Sequence, residues 1–241
     1  MNRKKQSPKL DRSAIIDGAV ALASTGGLES LSMRKLAGHL GVQAMSLYWY
    51  FDSRDAILDA VTDRIYSLFY QPVPGMPWRQ QLEKRSRSIM NILSEHPWSI
   101  PLLNNRRQPG AATLSHLDGL LGCLMMDGFS SAQAAHAAAL VDAHVYGFAI
   151  QSSSLPFLSQ TETDRDDPTG SRGTPGTAGK DSAADVVQEM ASLFADGAFP
   201  YLAQFVDEHV VTPNYNFMDE FEWSLQAVLD AIGALLIPHG K

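Results

Sequence analysis

Two short helical segments divided by a glycine constrain this chain more than any other feature. Between Leu31 and Leu58 it reads LSMRKLAGHLGVQAMSLYWYFDSRDAIL. Ser32 stands as an N-cap ahead of an apolar stripe of Met33, Leu36, Ala37 and Leu40, and Gly41 ends it. Val42 opens a turn, and a second short helix is expected from about Gln43 to Tyr50. Two short helices joined by a tight glycine-containing turn make a helix-turn-helix. The first can brace the second across a DNA backbone so that the second lies in the major groove. Leu36, Ala37, Leu40, Val42, Leu47 and Phe51 supply the apolar lock. The consecutive aromatics Tyr48, Trp49 and Tyr50 spread over roughly 200° of a helix, so at least one faces outward.

Helical period continues along the whole chain, with no convincing strand pair, so an all-α fold is expected. A first helix carries Ile15, Ile16, Ala19, Val20 and Ala23 and stops at Gly26 and Gly27. Asp52 or Ser53 can cap a fourth helix bearing Ile57, Leu58, Val61, Ile65 and Leu68. Pro72, Pro74, Gly75 and Pro77 then break the chain. This divides it into a three-helix head over 1–70, with its helix-turn-helix at about 32–51, and a larger helical-bundle domain over 71–241. Further helices are expected at 78–95, 98–105, 109–127, 130–152, 183–209 and 215–236. Residues 159–182 are rich in Ser, Thr, Gly, Pro and Asp and read as a mobile loop.

The net charge of −7 argues against nucleic acid until its distribution is read. Residues 1–54 hold eight basic and four acidic side chains, a net of +4, which leaves −11 on the remainder. A basic head on an acidic body can orient a protein on DNA. Arg3, Lys4, Lys5, Lys9 and Arg12 form a basic arm ahead of the first helix, suited to phosphates or simply to solvent. No run of about 18 apolar residues and no secretory h-region are seen, so neither a membrane span nor export is expected. The single Cys123 excludes an intramolecular disulfide and fits a cytoplasmic location.

The contiguous stretch LSMRKLAGHLGVQAMSLYWYFDSRDAILDA closely resembles the helix-turn-helix of the tetracycline-repressor (TetR) family. EHPWSIPLL, MMDGFSSAQAAHAAALVDAHVYGFAIQ and FEWSLQAVLDAIGALL resemble, more faintly, the C-terminal domain of its tetracycline-repressor branch. The resemblance implies a homodimeric repressor that binds palindromic operator DNA and is released by a small-molecule effector. Carried over by position, it makes Arg34 a base-reading arginine and Ala44, Met45, Tyr48 and Trp49 groove-facing. It sets Ser32, Ser46, Tyr48, Tyr50 and Arg54 at or beside phosphate contacts. Ala44 and Met45 depart from the more polar residues common there, and the second helix carries no Lys or Arg. That departure leaves a second reading standing, a helical ligand-binding or scaffold dimer without specific DNA binding. Activation rather than repression also stays open.

The effector is expected among helices between about 60 and 150. His96, Trp98, Leu102, Asn104, Leu121, Met125, His144 and Phe148 are the candidate wall. Apolar walls with a few polar groups suit an apolar or drug-like molecule. The tetracycline repressors hold their drug as a magnesium chelate through a histidine just after the fifth helix, whereas WSIPLLNNRR has none. No cofactor or metal is expected, since His136, Asp142 and His144 lack the short Cys/His spacing of a metal site. No nucleophile elbow, phosphate loop or dinucleotide fingerprint is present, so no enzyme and no catalytic residue are expected. Ala134, Ala138, Val141, Val145 and Phe148, and Phe217, Phe221, Leu225, Val228, Ile232 and Leu235, form two long stripes suited to a four-helix dimer core.

Overall fold

The computed structural model describes residues 10–103, 108–154, 199–210 and 215–236, and every regular element among them is a helix. Helix α1 (Arg12–Gly26) starts where the Asp11 carboxylate accepts from the Ala14 amide at 2.8 Å. Helix α2 (Met33–Leu40) starts where Ser32 Oγ accepts from the Lys35 amide at 3.2 Å. It ends in a left-handed residue, Gly41 at φ 69° and ψ 29°. The Gly41 amide returns to the Gly38 carbonyl at 3.2 Å and the Val42 amide to the Ala37 carbonyl at 2.9 Å. This double closure satisfies carbonyls that the helix end would otherwise orphan, and a Cβ at Gly41 would strain it. The chain then reverses into α3 (Ala44–Tyr48), shorter than the expected 43–50. Helix α4 (Arg54–Leu68) follows, and of the two candidate caps Ser53 serves, its Oγ accepting from the Ala56 amide at 3.1 Å.

Ile15, Ala19, Leu36, Leu47, Phe51, Ile57 and Val61 form one buried cluster that locks α1 to α4 together. Helix α4 runs on beyond it. Ile65, and Phe69 just past its end, belong to a second cluster. A single helix of about 22 Å therefore joins both cores.

The second cluster is built by α5 (Trp78–Glu95), α6 (Ile100–Leu103), α7 (Ala111–Met126), α8 (Ser131–Ser154) and α10 (Phe217–Ala234). A short α9 (Pro200–Phe205) continues into a π-helical turn at Val206–Val210. Leu82, Ile89, Leu120, Leu124, Val141, Val145, Phe221 and Leu225 are at its centre. Arg87 clasps Glu222 with Nε and Nη2 at 2.8–3.0 Å, and Arg79 reaches Asp230 at 2.8 Å, tying α5 to α10.

The two stripes expected to form a dimer core face inward instead. Ala134, Val141, Val145, Phe221, Leu225 and Ile232 are fully buried within the subunit's own core. Apolar periodicity identifies a helix face but not whose core it enters. The outer faces of the same helices carry other exposed apolar residues, Leu140 and Ile150 on α8 and Trp223 on α10. Most of the helix expected at 183–209, the loop at 159–182, and Arg3, Lys4, Lys5, Lys9 and Asn104 lie outside the described residues.

Candidate nucleic-acid interface and ligand site

Packing of Leu47 into the head leaves the opposite face of α3 in solvent. Met45 is 70% exposed, Trp49 87% and Tyr48 46%. Ala44 and Ser46 are half-buried at its edges. Arg34 and Lys35, in the first turn of α2, are exposed. These side chains make one apolar and cationic surface. Ser32 stays below it, half-buried and engaged as the cap of α2.

Tyr50 and Arg54 have internal work. The Tyr50 hydroxyl donates to the Leu10 carbonyl at 2.7 Å, and Arg12 donates to the Tyr50 carbonyl while its guanidinium lies 4.1 Å over the Phe51 ring. Arg54 Nε donates to the Leu31 carbonyl at 2.6 Å and Nη2 to the Leu28 carbonyl at 3.1 Å. Both residues brace the head. Sequence spacing set them near the surface, but it carried no information on these carbonyls, which come from 23 to 40 residues upstream.

The residues expected to line one effector pocket separate into groups. His96, Trp98 and Leu102 lie toward the head. The His96 and Trp98 rings meet edge-on at 5.8 Å, and Trp98 Nε1 donates to Ser24 Oγ of α1 at 3.2 Å. A cavity of about 360 Å³ between head and body is lined by Leu28, Arg54, Asp59, Thr62, Pro101 and Leu102, among others, and Leu102 alone of the described candidates borders it. His144 and Phe148 meet at the other end, where His144 stacks on Phe221 at 5.3 Å and Phe148 packs against both Phe217 and Phe221. Burial lowers the pKa of His144. Leu121 packs against the body core. Met125 lies on the surface, 48% exposed, and does not join the others.

Between these groups is a polar centre that the sequence reading missed. Arg85, 2% exposed, donates from Nε to His116 Nε2 at 2.8 Å, and its Nη1 lies 2.7 Å from Asp142 Oδ1. The last two atoms form a short ion pair between α5 and α8. Burial, with the Arg85 charge adding to it, lowers the His116 pKa to about 3. The ring is therefore neutral. Accepting through Nε2 places its proton on Nδ1, which is buried and has no partner among the described residues. Tyr66 and Tyr146 close the centre, with hydroxyls 3.4 Å apart and the Tyr66 ring edge-on to His116 at 5.6 Å. Burial raises the Tyr146 pKa, so the phenol keeps its proton.

Helices α4, α5, α7 and α8 thus bring donors and an acceptor together inside apolar walls. Such an arrangement can hold the polar edge of a small molecule. A signal was present in the sequence: Arg85 falls in register with Leu82, Ile89 and Leu93, a charge on a buried stripe, and such a charge needs partners.

Comparison with known proteins accords with this layout. Residues 15–61 match the family described as bacterial regulatory proteins, tetR family, and residues 71–236 match the tetracyclin repressor-like C-terminal domain. The HTH-type transcriptional repressor DrrR1 of Streptomyces coeruleorubidus is 26% identical over 231 residues, covering 95% of this chain and 79% of that protein. The tetracycline repressor protein class C of Escherichia coli is 32% identical over 132 residues, covering 54% of this chain and 60% of that protein. The TetR family protein ActR of Streptomyces coelicolor, solved in complex with actinorhodin, superposes with a TM-score of 0.71 at 21% identity, covering 94% and 97% of the two chains. At that identity the superposition speaks for the fold. No described helix is long and apolar enough to cross a membrane. With both halves matched, the chain belongs to the TetR family of transcriptional regulators, which is not a family of enzymes.

Proposed function

We propose that this protein is a homodimeric transcriptional repressor that binds a palindromic operator and is released by a small-molecule effector. The observation that carries the reading is the exposed face of α3. Met45, Tyr48 and Trp49 point to solvent from a helix whose other side is locked into the head, and Arg34 and Lys35 flank them. A short helix braced this way suits a major groove, and the flanking cations suit phosphates and guanine edges. The names of DrrR1 and of the tetracycline repressors support repression as the direction of control.

Effector binding is assigned to the centre formed by Arg85, His116, Asp142, Tyr66 and Tyr146, and the buried His116 Nδ1, which has no partner among the described residues, supports it. The actinorhodin complex of ActR supports a small molecule as the signal. Dimerisation is assigned to the outer faces of α8 and α10, where Leu140, Ile150 and Trp223 are exposed. A two-fold pair of heads would then meet half-sites roughly 34–36 Å apart.

Selection of fragments of its own genome by the purified full chain, at fixed near-physiological salt, tests the reading. Enrichment of an inverted repeat, weakened by Arg34→Ala in a protein that stays folded and dimeric, is expected. Recovery of no sequence by a well-folded dimer would overturn it.

A further inference from the structure

We infer that α3 reads its DNA site through the 5-methyl groups of thymines, contacted by Met45 and Trp49. The inference rests on the operator-binding reading above. Met45 and Trp49 are four residues apart, so they sit within about 40° of each other on one side of the helix. At 70% and 87% exposure, they are the most exposed large apolar side chains among the described residues of the head, with Tyr48 partly exposed beside them. At the N-terminal edge of α3 the exposed Gln43 can also reach a base, but the rest of the helix offers little hydrogen bonding. Ala44 has no polar atom in its side chain, Ser46 is half-buried, and the Arg54 guanidinium is turned onto the carbonyls of Leu28 and Leu31.

The chemistry of the groove supplies the occupant. Among the four bases, only thymine offers an apolar group on the major-groove edge. The chain from Met33 to Phe51 carries Arg34 and Lys35 and no acidic residue, so the same surface is drawn to the phosphates on either side. A protein partner would also cover an exposed tryptophan and methionine, but the flanking cations favour the duplex. On this account sequence is read by methyl contact at the bases under α3, and by hydrogen bonds where Arg34 enters the groove.

Uracil differs from thymine only in lacking the methyl group, so it isolates the contact. The full chain is offered two random-sequence duplex pools of one design, one made with thymine and one with uracil, and selected in parallel. The best thymine-pool site is then resynthesised with uracil and titrated. Burial of one methyl corresponds to about fourfold in affinity, so losing two per half-site should weaken binding about 15-fold for each half-site and about 200-fold for a palindrome of two. Met45→Ala should bring the thymine and uracil affinities toward each other, and since Met45 is exposed the variant keeps its fold. Equal enrichment and equal affinity in both pools would overturn methyl reading while leaving operator binding intact. A uracil penalty unchanged in both Met45→Ala and Trp49→Ala would overturn the assignment to these residues. Enrichment in neither pool would overturn the operator reading and this inference with it.

Discussion

The Asp63 carboxylate of α4 caps the start of α7, accepting at 2.9 Å from both the Thr113 amide and the Thr113 hydroxyl, and at 3.3 Å from the Ala112 amide. Helix α7 needs a cap from outside because its own N-cap position is Gly110, which has no side chain to offer. The glycine is also what lets the carboxylate in, since a Cβ there would lie 2.3 Å from Asp63 Cγ. One turn further along both helices Tyr66 meets His116, so α4 touches α7 on two successive rungs. Asp63→Ala should destabilise the protein by about 1–2 kcal/mol in urea unfolding and speed amide exchange at Ala112 and Thr113. Asp63→Asn, which keeps one acceptor, should lose less. Unchanged exchange in the alanine variant would remove the cap from this account.

Arg85 and Asp142 are a test of whether the polar centre is a balanced unit. Arg85 is enclosed, with an ion-pair partner on α8 and a hydrogen-bond partner on α7. Removing one member leaves the other's charge in a poorly solvated place. Asp142→Ala should therefore cost about 3–5 kcal/mol, while Arg85→Met together with Asp142→Leu should cost less than Asp142→Ala alone. Chemical denaturation of the three proteins checks this. A double variant that loses as much as Asp142→Ala or more would show that the two residues do not act as a unit.

His116 predicts the acid limb of stability. In the folded protein its pKa lies at about 3, set first by burial and then by Arg85. In the unfolded chain a histidine titrates near pH 6.5. Between these values the unfolded state takes up a proton that the native state refuses. The contribution of a neutral His116 is thus fully present above about pH 6.5 and is lost progressively as pH falls toward 3. Relative to His116→Gln, which keeps an acceptor for Arg85, the wild type should lose roughly an extra 2–3 kcal/mol between pH 6.5 and 4.5. Carboxylates titrate in both proteins and cancel in the comparison. Parallel pH profiles would mean that His116 takes up its proton in the fold as readily as in the unfolded chain.

Arg54 sits where a phosphate contact was expected, yet it donates to two carbonyls of the segment ahead of α2. Arg54→Ala should lower the stability of the head by about 1–3 kcal/mol, an effect measurable without DNA. Arg54→Lys should recover only part of it, because an ammonium cannot reproduce the planar fork. A variant as stable as the wild type but weakened on DNA would return the residue to the phosphate role.

The parts of this fold that were legible in the sequence are those set by neighbours a few residues apart. Ser32 and Ser53 cap helices because an N-cap reaches only to the amide three residues on. Gly41 ends α2 because a left-handed residue there needs no distant partner. Contacts across the fold were not legible in the same way. The stripes through Val141 and Phe221 had the right period, but period carries no label for the surface they meet. His144 and Phe148 did come together, whereas His96 and Met125 ended far from a common wall, because one aromatic or histidine on an apolar face packs equally well at several places. Arg85, in register with Leu82 and Ile89, was the more informative residue, since a charge on a buried stripe restricts what can surround it.

The inward turn of those stripes moves the dimer prediction to different residues. Trp223 on α10 is 74% exposed, and Leu140 and Ile150 on α8 are about half exposed. Trp223 leaves most of its large apolar area uncovered among the described residues, while Leu225, two positions on, is wholly buried. If the outer face pairs across a two-fold axis, Trp223→Glu places two like charges near that axis and should shift the protein to monomer in sedimentation velocity. Because the side chain is exposed, the helical circular dichroism of the subunit should persist. Val141→Glu serves as the contrast, since a charge in the subunit core should unfold the chain rather than dissociate it. A Trp223→Glu protein that stays dimeric at micromolar concentration would place the subunit interface elsewhere and detach α10 from it.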